Sequence, residues 1–197
     1  MILENIKNYK IFLASNSPRR REIMKMLKIP FTTVTLEGID ESYLDNLPLH
    51  EIPVYIAKKK SEAFLKHLQP KDLVITADTM VICDNLIMGK PKNQEEACQM
   101  LKFLSGKTHK VVTGVALASL EHRTFFESTS LVRFAALTDN EIEFYVESFN
   151  PIDKAGAYGI QEWIGAVAVE AMEGSFYNVM GLPIHRVYEE LKRFPAC

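Results

Sequence analysis

The chain has 197 residues, of which 47% are hydrophobic and 24% are charged, and its formal net charge is −2. This composition excludes an intrinsically disordered chain, and the near balance of charges argues against a broadly basic, nucleic-acid-binding surface. We expect residues 1–197 to form a single domain that needs no disulfide or structural metal to fold. Cys83, Cys98 and Cys197 form no CxxC pair, which fits a reducing cytoplasm.

The hydrophobic patterns predict the following elements in chain order. Short strands are predicted at 11–14 and 31–36, helices at 18–28 and 52–67, and a buried strand at 72–78. Two short strands around Asp84-Asn85 follow, then a helix at 93–104 and a hairpin of two long strands, 110–119 and 124–137. A helix is expected to open with a capping box at Thr138 and Glu141 and to end before Asn150-Pro151. We then expect a strand within 163–173, a loop at 174–183 and a last helix from about Pro183. Near its start, the chain has only the short apolar run 11–14, so we expect no signal peptide or membrane span.

Helices and strands alternate without strict βαβ order, and two long neighbouring strands suggest antiparallel pairing. The sequence therefore predicts an α/β fold, in the broad sense of mixed α+β, with a mixed sheet flanked by helices.

The first predicted helix begins with an unfavourable pattern of charge. Ser17 can cap backbone N–H groups and Pro18 suits the first helical position. Arginines 19–21 follow, at the helix end that already carries positive partial charge. They could be a solvated helix face. We favour a site for a phosphate chain, because local rules are broken mainly at functional sites.

Carboxylates and lysines fall in loops and at a strand end. Glu41 follows a predicted strand and is, by itself, most simply a solvated acid. Asp78 closes a predicted buried strand and could equally be a cap or a catalytic or metal-binding group. If the two converge, they could hold Mg²⁺ or Mn²⁺. Lysines 58–60 could be a solvated helix face, whereas Lys90 lies in a rigid turn that suits a positioned cation.

Other motifs exclude some kinds of binding site and suggest one that recognises a base. The stretch SGKT ends like a phosphate-binding P-loop, but the glycine required five positions before Gly106 is Leu101, so the P-loop is excluded. The histidines lack metal-ligand spacing, and only His109 attracts interest. In KAGAYGIQ the glycines allow a close approach of backbone to a ligand, and the Gln161 amide could recognise a base edge.

Seven segments in order resemble the Maf family of nucleoside triphosphate pyrophosphatases, over about residues 11–185. They are SNSPRRRE, GIDE, ADTMV, GKPK, SGKTHKVVTGVAL, DKAGAYGIQ and GSFYNVMGLP. The resemblance implies a fold like that of inosine triphosphate pyrophosphatase: an elongated mixed sheet flanked by helices, with two lobes around a cleft, often as a homodimer. It also implies hydrolysis of a nucleoside triphosphate to the monophosphate and pyrophosphate with a divalent cation, Mg²⁺, Mn²⁺ or Co²⁺.

Matching motif positions give each residue an expected role. Asp78 matches the general base, and Glu41 joins it as a metal ligand. The positions that match substrate-binding residues are Ser15, Arg20, Lys60 and Lys90. The positions that match specificity residues are Arg19, Thr79 and Gln161, and this combination resembles the branch that acts on dTTP and UTP.

The resemblance implies a cytoplasmic house-cleaning dTTP/UTP pyrophosphatase, whose substrates could include modified pyrimidine nucleotides. Its partner is the nucleoside triphosphate, and we expect neither nucleic-acid nor membrane binding. Two alternatives stay open. One is a regulatory nucleotide-binding protein of septation or septum formation with little turnover. The other is a 7-methyl-GTP pyrophosphatase, which the residues at positions 19, 79 and 161 disfavour.

Overall fold

A computed structural model of the chain describes residues 3–35 and 38–197. Its strands are β1 (Lys10–Ala14), β2 (Thr32–Val34), β3 (Asp72–Cys83), β4 (Leu86–Met88), β5 (Thr108–Ala118), β6 (Arg123–Phe134) and β7 (Val169–Glu173). Its α-helices are α1 (Pro18–Lys25), α2 (Ile52–Leu65), α3 (Gln94–Leu104), α4 (Asp139–Phe149), α5 (Trp163–Ala168), α6 (Phe176–Met180) and α7 (Ile184–Arg193). The end of the predicted strand 31–36, at Leu36, lies outside the described residues. None of the described helices is long and apolar enough to cross a membrane.

The strands of the described residues form one mixed sheet in the order β2-β1-β3-β5-β6-β7, with β4 paired to β3. Strand β1 is parallel to both β2 and β3, whereas β3 with β4 and β6 with β7 are antiparallel. A tight turn joins β5 to β6, and the Ser119 N–H donates to the His122 carbonyl across it at 2.8 Å. The predicted hairpin and the predicted mixed α/β fold are confirmed.

The chain divides into two compact units. The first unit comprises Met1–Asp78, Thr113–Ser128 and Gly181–Cys197, and the second comprises Thr79–Val112 and Thr129–Met180. In the first unit, Phe64 and Leu68 of the α2 region pack with Val74. In the second, Leu101 of α3 and Tyr145 of α4 belong to one buried cluster. The single domain and the cleft between two lobes stay predictions.

Strand β3 differs from its prediction. It continues past Asp78 to Cys83, since residues 80–83 are apolar and buried. Asp84 and Asn85 have positive φ angles of 51° and 61°, as a two-residue hairpin turn requires, and they lead into β4. Asp78 therefore lies within a strand and not at the end of one.

Two segments near the carboxyl end also differ from their predictions. Residues 163–168 form helix α5, whose buried side chains, Ile164 and Ala168, are four residues apart as in a helix, and only 169–173 form a strand. The predicted loop 174–183 contains the short helix α6. Its first turn is capped by the Ser175 hydroxyl, which accepts from the Asn178 N–H at 3.3 Å.

His109 lies in the core of the second unit. Its Nε2 lies 2.8 Å from the Tyr158 hydroxyl oxygen, and its ring packs edge-on against Phe134 with centroids 4.9 Å apart. Burial disfavours the charged imidazolium and lowers the pKa of His109 to about 4. This histidine is therefore a neutral core residue.

The close approach of α2 to β5 leads to a prediction about packing. A Cβ atom added at Gly114 would lie 2.1 Å from the Val54 backbone nitrogen, so the two elements would have to separate. We expect Gly114→Ala to lower the free energy of unfolding by about 3 kcal/mol. Gly89→Ala is the control, because a Cβ there meets nothing within 4 Å. Urea unfolding measures both, and equal stabilities would contradict the packing described.

The buried imidazole leads to a prediction about pH. The unfolded chain protonates His109 below pH about 6.5, whereas the folded chain resists protonation until about pH 4. Stability is therefore fully present above pH 6.5 and falls as the pH is lowered. Between pH 7 and pH 4 we expect this residue to reduce the free energy of unfolding by about 3 kcal/mol. Denaturant unfolding of His109→Gln should lack that loss, and matching pH profiles for the two proteins would refute the assignment.

Candidate active site

Lys60 joins two carboxylates in the first unit. Its Nζ atom lies 2.8 Å from Asp78 Oδ1 and 2.9 Å from Glu41 Oε1. The side chains of Lys60 and Asp78 are only 14% and 16% exposed, whereas that of Glu41 is 58% exposed. Helix α2 carries the lysine, strand β3 carries Asp78, and the segment before α2 carries Glu41. Three residues that the sequence assigned to the site therefore meet around one ammonium group.

Asp78 lies where the buried pattern of β3 is interrupted. Residues 78–79 are half-buried, and all other residues of β3 are buried. A carboxylate in such surroundings is stable only when a cation or hydrogen-bond donors compensate its charge. Lys60 provides that compensation, so the charged residue in the strand and the charged residue on the helix depend on each other.

Arg20 is fixed by two backbone carbonyls of the same unit. Its Nε donates to the Gly181 carbonyl at 2.7 Å, and its Nη1 donates to the Ala77 carbonyl at 2.8 Å. Burial lowers the pKa of Arg20, and the nearby Asp78 carboxylate acts in the opposite direction. Because Ala77 precedes Asp78, the bond to its carbonyl places a rigid, planar cation next to the acidic pair.

The start of α1 is organised by two serines, as the sequence predicted. The buried Ser15 hydroxyl accepts from the Ser17 N–H at 3.2 Å, and the Ser17 hydroxyl accepts from the Arg20 N–H at 3.4 Å. The Arg21 N–H donates to the Ser17 carbonyl. The N–H groups of Ser17, Arg20 and Arg21 therefore already have acceptors within the chain. Arg19 is half-buried beside them.

The segment that carries Glu41 is folded into a turn. Asp40 accepts two hydrogen bonds from Ser42, one from its N–H at 2.9 Å and one from its hydroxyl at 2.6 Å. Lys59 Nζ lies 3.0 Å from Asp40 Oδ2 and 2.9 Å from the Ser42 carbonyl oxygen. The bonds from Ser42, together with Lys59, hold the pKa of Asp40 well below its usual range. Sequence reasoning missed this role for Lys59, because a run of lysines on a helix gives no sign of which loop each one reaches.

Thr79, Lys90 and Gln161 belong to the second unit. Thr79 is half-buried and directly follows Asp78 in the chain. Lys90 is exposed in the segment after β4, where the Gly89 carbonyl accepts from the Gly156 N–H at 3.0 Å. Gln161 is exposed, and its Nε2 lies 3.4 Å from Glu162 Oε1.

A buried network supports the segment around Gln161. Lys154, almost fully buried, lies with its Nζ 3.2 Å from Glu162 Oε1. The Tyr145 hydroxyl donates to the other carboxylate oxygen of Glu162 and accepts from the Gly159 N–H at 3.1 Å. A Cβ at position 159 would lie 2.8 Å from Gln161 Nε2, so glycine leaves room for the amide. Periodicity gave no signal for Tyr145 or Glu162, because their contacts join residues that are distant in sequence.

The residues around Lys60 also fit a divalent cation. In the part of the chain that the structure describes, no group of three or more histidine, cysteine or acidic side chains could hold a metal. Glu41 and Asp78, however, converge on one positively charged group. Hard cations such as Mg²⁺ use one or two protein carboxylates together with substrate phosphates, so two converging carboxylates suffice.

A family model and sequence relatives place the chain in one family. Residues 10–194 match a family model described as "Maf-like protein". A "dTTP/UTP pyrophosphatase" of Phocaeicola vulgatus is 51% identical over 192 residues, which cover 98% of this chain and 100% of the relative. A second protein named "dTTP/UTP pyrophosphatase", from Porphyromonas gingivalis, is 50% identical over 195 residues, which cover 98% of each chain. A solved HAM1 protein from Coxiella burnetii is 13% identical with a TM-score of 0.49, covering 94% of this chain and 100% of that one.

Proposed function

The chain belongs to the Maf-like protein family, and from this we propose that it is a hydrolase that converts dTTP and UTP to the nucleoside monophosphates and pyrophosphate. The observation that carries the proposal is the Lys60 bridge between Glu41 and Asp78, with the anchored guanidinium of Arg20 beside it. The relatives from Phocaeicola vulgatus and Porphyromonas gingivalis, both named dTTP/UTP pyrophosphatase, support the choice of substrates.

Binding a triphosphate requires several positive charges, and we assign Arg20, Lys60 and Lys90 to this task. The guanidinium of Arg20 is already oriented by two carbonyls, so little of its freedom is lost on binding. Ser15 is assigned to the same role, because its hydroxyl oxygen accepts from Ser17 and its own hydrogen can donate to a phosphate oxygen. Lys90 is assigned from its motif position and its exposed location.

Hydrolysis requires water to attack the α phosphorus while the bond to pyrophosphate breaks. We propose that Asp78 accepts the proton of this water. The phosphate chain competes with the two carboxylates for Lys60, so substrate binding frees Asp78 Oδ1 from the ammonium group while the anchored Arg20 stays beside it. A divalent cation at Glu41 and Asp78 would supply positive charge against the phosphate oxygens. The rest of the catalytic effect is positioning and charge neutralisation, as in other phosphoryl transfers.

Recognition of the base is assigned to Arg19, Thr79 and Gln161. The Gln161 Nε2 lies next to Glu162, so the oxygen is the atom of this amide that is available to a ligand. An amide oxygen can accept the N3–H of thymine or uracil, whereas neutral cytosine has no hydrogen at that atom. The orientation of this amide therefore supports a preference for dTTP and UTP.

We also propose that the protein is cytoplasmic, because Cys83 and Cys98 are free thiols, which stay reduced in that compartment. Modified pyrimidine nucleotides as further substrates, a homodimer and a link to septum formation stay predictions.

Removing the proposed base tests the mechanism. We expect Asp78→Asn to lower kcat for pyrophosphate release from dTTP by about 10²–10⁴-fold, because the amide cannot accept the proton. Asp84→Asn is the matched control, since Asp84 also pairs with a lysine, Lys107, but lies in the β3–β4 turn. Release is measured with a coupled pyrophosphate assay, and thermal unfolding shows that both variants are folded. Full activity in folded Asp78→Asn would show that Asp78 is not the general base.

Changing the amide at position 161 tests recognition of the base. We expect Gln161→Glu to lower kcat/KM for dTTP about tenfold relative to dCTP, because a carboxylate at position 161 loses the contact of Nε2 with Glu162 and is repelled by it, so that no oxygen is held where the amide oxygen was. Gln99→Glu, the same change at an exposed position of α3, should leave the ratio unchanged. A nucleotide profile of Gln161→Glu identical to that of the unchanged chain would remove Gln161 from the specificity residues.

A further inference from the structure

Lys59 and Lys60 hold the same short turn, residues 40–42, although they are neighbours on α2. Lys60 Nζ contacts the Glu41 carboxylate at 2.9 Å. Lys59 Nζ contacts Asp40 Oδ2 at 3.0 Å, the Ser42 carbonyl oxygen at 2.9 Å and the Ser42 hydroxyl at 3.4 Å. Neighbouring side chains on a helix point in different directions, so each lysine makes its own attachment to the turn.

The two attachments differ in what a substrate does to them. Lys60 is the lysine that we assign to the phosphate chain, and moving it to a phosphate removes the cation that holds Glu41. Lys59 contacts Asp40 and Ser42, and its Nζ lies 5.8 Å from the centre of the Tyr55 ring; none of these residues is assigned to substrate or metal. Its Nζ can therefore keep the turn folded after Lys60 has changed partners.

We propose that Lys59 is a positioning residue for Glu41. It holds residues 40–42 in place so that the Glu41 carboxylate stays next to Asp78 when substrate and a divalent cation bind. Lys59 also neutralises Asp40, which limits competition from that carboxylate for the cation. This proposal rests on the proposed function for the identity of the ligand, but the attachment itself is a property of the chain alone.

Lys58 provides a matched control one residue away. Its Nζ lies 3.9 Å from Glu62 Oε1 and 5.6 Å from the centre of the Phe125 ring. Neither contact involves residues 40–42. Replacing Lys58 or Lys59 by glutamine removes the same charge from the same helix, and of the two variants only Lys59→Gln breaks the attachment to the turn.

Two measurements on the full chain test the proposal. The first is hydrogen exchange of the backbone amides of residues 40–44, with no ligand present. The second is the binding of Mn²⁺ in the presence of α,β-imido-dTTP, an analogue that cannot be cleaved to pyrophosphate, with unbound Mn²⁺ measured by electron paramagnetic resonance. Lys59→Arg, which keeps the charge and the donors, is included as the conservative variant.

We expect Lys59→Gln to speed amide exchange at Ser42 and to raise the Kd for Mn²⁺ by about fivefold, the scale of a solvent-accessible ion pair. Lys58→Gln should match the unchanged chain in both measurements, and Lys59→Arg should restore most of the binding. Equal exchange and equal Mn²⁺ binding in Lys58→Gln and Lys59→Gln would overturn the proposal. If only Lys59→Gln speeds exchange but the unchanged chain releases no pyrophosphate from any nucleotide, the attachment stands and the proposed function fails.

Discussion

The site depends on one constraint, which is that the Asp78 carboxylate lies within a buried strand. Its charge cannot be left uncompensated there, and the chain supplies Lys60 at 2.8 Å and an anchored Arg20 nearby. Each of these cations is held by a different element, so α1, α2 and β3 must all be in place before the carboxylate is stable. The contact between Gly114 and the start of α2 belongs to the same requirement, because it sets how closely this helix packs on the sheet.

The same constraint links folding to the proposed chemistry. A lysine that compensates a carboxylate is also a cation that a phosphate chain can take over, which leaves the carboxylate ready to accept a proton. The Lys59 contacts with Asp40 and Ser42 add a second attachment that such an exchange leaves intact.

Structural features that depend on residues close in sequence were predicted correctly, whereas contacts between residues distant in sequence were not. The Ser17 cap, the hairpin at 119–122 and the Thr138–Glu141 capping box depend on residues close in sequence, and all are present in the structure. Asp78 was wrongly expected at a strand end, because a charged residue in an apolar run indicates a boundary unless its partner is known. That partner, Lys60, is 18 residues away. Residues 163–168 were wrongly predicted as a strand, because short apolar runs fit a buried helix equally well.

We propose that this chain cleaves dTTP between the α and β phosphates by attack of water on the α phosphorus. The most direct measurement is hydrolysis of dTTP by the unchanged chain with Mg²⁺ or Mn²⁺ in H₂¹⁸O, followed by mass spectrometry of the products. We expect dTMP and pyrophosphate as products, with ¹⁸O in dTMP. Formation of dTDP and phosphate, ¹⁸O only in pyrophosphate, or binding of dTTP without turnover would contradict it.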